Sequence, residues 1–115
     1  MGIGISETPF SYVPASPTFT RGDGHVITIT NPAANSGKHY YWSPEFFETC
    51  VTRKFQDSDA EIKAPYFRGV ELLWSPTSDR TLDMYIVPVT SGAYYVVCTI
   101  VGHEAAGMFG TVTVQ

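Results

Sequence analysis

Hydrophobic and polar residues alternate along most of this chain with a period of two. Along Arg80–Val87, Leu82, Met84 and Ile86 share one side while Thr81 and Asp83 take the other; in Thr111–Val114, valine alternates with threonine. That period sends successive side chains to opposite faces of a β-strand, one toward a core and one toward solvent. The same period marks the run opening at His39 and Ala93–Thr99, and β-like runs closed by turn residues add Phe10–Val13, the β-branched His25–Thr30 and part of Tyr66–Trp74. Turn-forming residues separate them at Arg21-Gly22-Asp23-Gly24, Asn31-Pro32, Asp57-Ser58-Asp59-Ala60, Ser75-Pro76 and Thr90-Ser91-Gly92.

One stretch breaks the alternation. Ser43-Pro44-Glu45 reads as a helix start, with Ser43 as N-cap, Pro44 in the first helical position and an acidic residue in the first turn. Phe46, Phe47, Cys50 and Val51 would then form its apolar face. Residues 52–65 read ambiguously: a turn at Asp57-Ser58-Asp59-Ala60 is flanked by either short strands or irregular connection. Seven or eight short strands with at most one short helix predict an all-β fold, an antiparallel β-sandwich. It is expected to occupy residues 21–115, after a lead-in of residues 1–20 that holds a first strand and the remnant of a linker.

Composition narrows the functional classes. A chain of 115 residues buries roughly two-thirds of its unfolded surface, so it needs no disulfide to fold. Charged residues make up 16% and the net charge is −4, which leaves no basic face for nucleic acid or anionic lipid. The longest apolar run, near Tyr94–Val101, is far short of the ~18 residues of a membrane span. The first residues carry no positive charge before Arg21, so the protein is expected either to be cytoplasmic or to have lost a leader or membrane anchor ahead of the proline-containing stretch 8–17.

The chemistry concentrates near the C-terminus. Cys98, His103 and Met108 form a Cys-x4-His-x4-Met run, with Gly102 and Gly107 allowing tight turns between them. A buried Cys or Met alone is ordinary core material. Thiolate, imidazole and thioether together suit one soft metal ion, and the thioether favours copper over zinc. His39 offers the second imidazole, since it begins a strand just after a polar loop, at an end of the sandwich where other loops gather. His25 reads as a solvent-facing residue beside a turn, and Met84 as core. With Cys98 on the metal, Cys50 is expected to be an unpaired thiol.

Gly92-x-Tyr94-x-Val96-x-Cys98, the Cys98-x4-His103-x4-Met108 loop and His39 after an Asn-rich loop together resemble the cupredoxin family of mononuclear blue-copper proteins. The resemblance runs from about Val26 to the end. Its loop spacing is similar to that of rusticyanin-like members, plastocyanin-like ones having a shorter Cys-to-His step. It implies a Greek-key β-sandwich and one copper ion held by His39, Cys98, His103 and Met108. It also implies a monomeric, non-enzymatic electron carrier in the periplasm or another extracytoplasmic space, serving redox proteins such as a cytochrome or terminal oxidase. Copper storage or delivery, and a copper domain of a larger oxidase or reductase, are the alternatives. One departure is Tyr40, where the family often has Asn, so that residue's side-chain bracing between ligand loops is not expected here.

Overall fold

The alternating segments build two facing sheets in the computed structural model, which describes residues 1–56, 60–63 and 68–115. In chain order the strands are β1 (Gly2–Glu7), β2 (Phe10–Val13), β3 (Thr18–Phe19), β4 (His25–Asn31), β5 (His39–Trp42), β6 (Cys50–Gln56), β7 (Ala60–Lys63), β8 (Gly69–Leu72), β9 (Arg80–Pro88), β10 (Gly92–Val97) and β11 (Phe109–Val114), with a helix α1 at Pro44–Glu48. One sheet is ordered β2-β1-β4-β9-β6-β7 and the other β3-β11-β10-β5-β8. Of the turn expected at Asp57–Ala60, residues 57–59 lie outside the described residues, as does the start of a strand at Tyr66–Phe67, while Ala60 opens β7 and pairs with Gln56.

The inward faces are those the period of two predicts. Ile27 and Ile29 of β4 and Leu82, Met84 and Ile86 of β9 meet Tyr41, Val70, Val96, Val112 and Val114 from the other sheet, all in one buried cluster. Each such side chain stabilises the fold by about 1.5–3 kcal/mol relative to staying exposed, so this cluster, more than any single hydrogen bond, holds the sheets together.

Residues 1–20 contribute three strands. β1 pairs with β2 antiparallel but with β4 in parallel (Ile3↔Ile29), and Ile3 and Ile5 enter the core. β3 pairs in parallel with β11 (Thr113↔Thr18). The sandwich is therefore mixed at these two pairings, which the long connections from β1 to β4 and from β3 to β11 permit. Glycine at two of the six positions of β1 gives it little intrinsic strand preference, which is why the sequence hides it.

The helix departs from expectation in two ways. It ends at Glu48, so Cys50 and Val51 belong to β6, where Val51 is exposed and pairs with Val87. Phe46 and Phe47 alone supply its buried face. Ser43 occupies the cap position but its side chain does not cap. Being fully buried, its hydroxyl needs an acceptor, and it donates to the Tyr95 carbonyl of β10 at 2.5 Å. That bond fastens α1 to the strand that runs into Cys98.

Candidate metal centre

β5 and β10 are neighbours in the second sheet and pair at their C-terminal ends, Trp42 opposite Val97. The alternation of β5 turns His39 and Tyr41 inward, each 1% exposed, and leaves Tyr40 and Trp42 half-buried. The loop before His39 is held by two amides. Asn31, itself buried, donates from Nδ2 to the carbonyls of Gly37 at 3.0 Å and Leu73 at 3.1 Å; Asn35 donates to the Ile5 carbonyl at 3.1 Å and to Asn31 Oδ1 at 2.9 Å.

The second group of side chains comes from the loop between β10 and β11. Cys98 N–H donates to the Met108 carbonyl at 3.1 Å and closes the loop at its base. Inside it, His103 N–H reaches the Ile100 carbonyl and Met108 N–H the His103 carbonyl, both at 3.0 Å. Gly102 and Gly107 have φ of +88° and +114°, the backbone freedom the sequence assigned to them.

These elements bring three donors to one place. His39 Nδ1 lies 3.2 Å from His103 Nδ1, and Cys98 Sγ lies 3.4 Å from His103 Nδ1 and 4.0 Å from His39 Nδ1. A point equidistant from the three is about 2.1 Å from each, against bonds of about 2.0–2.1 Å for a metal to imidazole and about 2.3 Å for a metal to thiolate. The triangle thus fits a single transition-metal ion. Met108, the fourth expected donor, is fully buried at the end of the same loop, its backbone tied to both Cys98 and His103.

The surroundings suit that role. Tyr40 backbone N–H donates to Cys98 Sγ at 3.4 Å, so the residue standing where the family often has Asn braces the thiol through its main chain, while its hydroxyl turns to Glu71. Tyr12 OH in turn donates to the Tyr40 carbonyl. His39 Nε2 lies 2.7 Å from Glu7 Oε2. Burial holds the His39 pKa below its ordinary value although Glu7 opposes this; burial raises that of Glu7, but hydrogen bonds from His39 and Ser36 bring it below the usual carboxylate value. Both shifts favour a neutral imidazole beside an ionised carboxylate at neutral pH. Phe10 covers the histidines, its ring centroid 4.5 Å from that of His103 and 6.1 Å from that of His39. His25 stands outside the cluster, against Phe19 and 3.4 Å from the Thr20 carbonyl, and Cys50 is a free thiol that donates to the Phe46 carbonyl.

No protein-family model and no curated protein matches the chain. Solved structures do. Rusticyanin from Thiobacillus ferrooxidans superposes with a TM-score of 0.60 at 20% identity over 99% of this chain and 75% of that one. Auracyanin A, a "blue" copper protein from Chloroflexus aurantiacus, gives 0.60 at 16% identity over 100% and 97%. The fold is the cupredoxin fold. A multicopper oxidase from Campylobacter jejuni also matches, with a TM-score of 0.66 at 12% identity, but this chain spans only 28% of its length.

Within that cupredoxin fold, the sequence did not point to Glu7, Phe10, Asn31 or Asn35. Asn31 had a faint signal, an amide ending a β-branched strand. Glu7 and Phe10 had none, since their nearness to the histidines depends on the pairing of β1 with β4, which nothing local announces.

Proposed function

We propose that this protein is a one-electron carrier holding a single copper ion on His39, Cys98 and His103, with the Met108 thioether as a weak fourth donor. The observation that carries it is the triangle of Nδ1, Nδ1 and Sγ, whose edges of 3.2, 3.4 and 4.0 Å match one metal ion. Thioether beside thiolate and two imidazoles selects copper. Bound there, copper supplies a Cu(I)/Cu(II) couple that takes up and gives back one electron.

The chain's own residues do the rest. Burial of Cys98 and His39 keeps bulk water from the donors, and the Tyr40 N–H partly offsets charge on the sulfur. The rigid sandwich holds the donors in place, so little rearrangement accompanies the electron. His103 alone of the three is half-exposed, and around it Val101, Gly102, Ala105, Ala106 and Phe109 are exposed. Apolar residues around one imidazole, with the exposed Glu104 beside it, form the kind of modest patch that transient redox partners use, a cytochrome or terminal oxidase being the expected type. An extracytoplasmic setting, a monomeric state and the lack of a catalytic step belong to the same reading.

The likeness to the C. jejuni multicopper oxidase favours a second reading, a copper domain of a larger oxidase. Further copper ions would need further ligands, and of three histidines in the sequence only His25 is left over. A storage or delivery role fits less well, because His39, Cys98 and Met108 are buried and only His103 reaches the surface. The test is the visible and electron paramagnetic resonance spectrum after one equivalent of Cu(II). An intense thiolate-to-copper band bleached by ascorbate and restored by oxidant is expected. A colourless protein with the signal of ordinary tetragonal copper would overturn the assignment.

A further inference from the structure

Glu7 lies near no predicted ligand in sequence, yet one carboxylate ties together three parts of the site. Its Oε2 meets His39 Nε2 at 2.7 Å. Its Oε1 accepts from Ser36 N–H at 2.7 Å and from Ser36 Oγ at 2.9 Å, in the loop that delivers His39. Its own place is set by β1, which pairs with β4 on one side and β2 on the other, and β2 begins with the Phe10 that packs on His103. A neutral imidazole carries one proton, and the nitrogen that holds it is set by the partner of that nitrogen. A carboxylate oxygen can only accept, so the proton belongs on Nε2. The Nδ1 lone pair is then left facing Cys98 and His103.

We propose that Glu7 is a positioning residue of the metal centre: it fixes His39 as the Nε2–H tautomer, aims Nδ1 at the ion and immobilises the 32–38 loop through Ser36. The proposal rests on reading the pocket as a metal centre. Outer partners of this kind commonly change metal affinity by about 10–100-fold when removed. Glu7→Ala removes the acceptor. Glu7→Gln keeps an acceptor oxygen and removes the charge, so it separates orientation from electrostatics.

The first measurement uses the metal-free wild type: long-range proton–nitrogen NMR of the His39 ring. The expected spectrum has Nε2 protonated and Nδ1 bare; protonated Nδ1 overturns the proposal and does not depend on any variant folding. The second is copper affinity by chelator competition, with the reduction potential beside it. Glu7→Ala is expected to lose affinity about 10–100-fold and to show mixed tautomers. Glu7→Gln should stay within a few-fold of wild type and show a raised potential, since a negative charge near the ion favours Cu(II). Glu7→Ala that melts earlier yet keeps wild-type affinity and tautomer would mean a merely structural role and would overturn the proposal. Failure of the wild type to take copper sinks the electron-carrier reading instead, and the metal-free NMR still decides whether Glu7 fixes the His39 tautomer.

Discussion

Cys98 is the side chain on which the colour of a copper-loaded site would depend, because among these donors the thiolate gives the intense charge-transfer band with copper, and the Tyr40 N–H already meets its sulfur. Cys98→Ser is expected to remove that band while far-UV circular dichroism stays that of a β-sandwich; a blue variant would refute the ligand set. His25→Ala should leave the spectrum unchanged, since His25 lies outside the cluster. The metal-free protein should also lose stability on acidification. His39 has an ordinary pKa of 6.5 that burial lowers in the fold, so below about that pH the unfolded chain binds the proton first and unfolding is favoured. Glu7, ordinarily at 4.5, is also lowered; its contribution is whole above 4.5 and is lost as pH falls through its lower folded value. Denaturant midpoints should therefore fall from pH 7 through pH 4, and a flat or rising profile would contradict the neutral-histidine, ionised-carboxylate pairing.

The loop from Cys98 to Met108 was legible because its donors sit close together in sequence and its glycines mark the turns. Those glycines should not be equivalent. A Cβ on Gly107 would lie 2.9 Å from the Phe10 carbonyl in addition to sitting at φ +114°, whereas one on Gly102 meets nothing within 4 Å. Gly107→Ala should cost more than the roughly 1–3 kcal/mol of backbone strain expected at either position, and it should disturb the copper spectrum, while Gly102→Ala should pay the strain alone. Thermal melts and spectra of the pair test this, and equal effects would count against the packing of Phe10 on the loop. Strands β9 and β11 were legible from alternation, and β4 from its β-branched run between turns. β1 was not, since two of its six residues are glycine and carry little strand preference, and α1 was overextended because Cys50 and Val51 continue its apolar spacing although strand pairing with β9 claims them.

Because the donors come from β5 and from the β10–β11 loop, an ion bound in the pocket would tie the second sheet together and stabilise only the folded chain. At free copper a thousandfold above the dissociation constant the gain is about 4.1 kcal/mol, which should raise the melting temperature by about 10 °C or more for a domain of this size. An unchanged melt would mean that copper binds the unfolded thiols as well. The two-sheet architecture could be read from the number of alternating runs; how the first twenty residues join it could not, since pairing partners far apart leave no local trace. Thr111 N–H reaches Ser16 Oγ across 95 residues, and Gly110 lies so close to the Ala15 backbone that no Cβ fits between them. Contacts of such range make folding slow. On a ribosome adding about 5–20 residues per second, Thr18–Phe19 waits for several seconds before the strand it pairs with exists. Glu7 leaves the ribosome before every group it is built to hold.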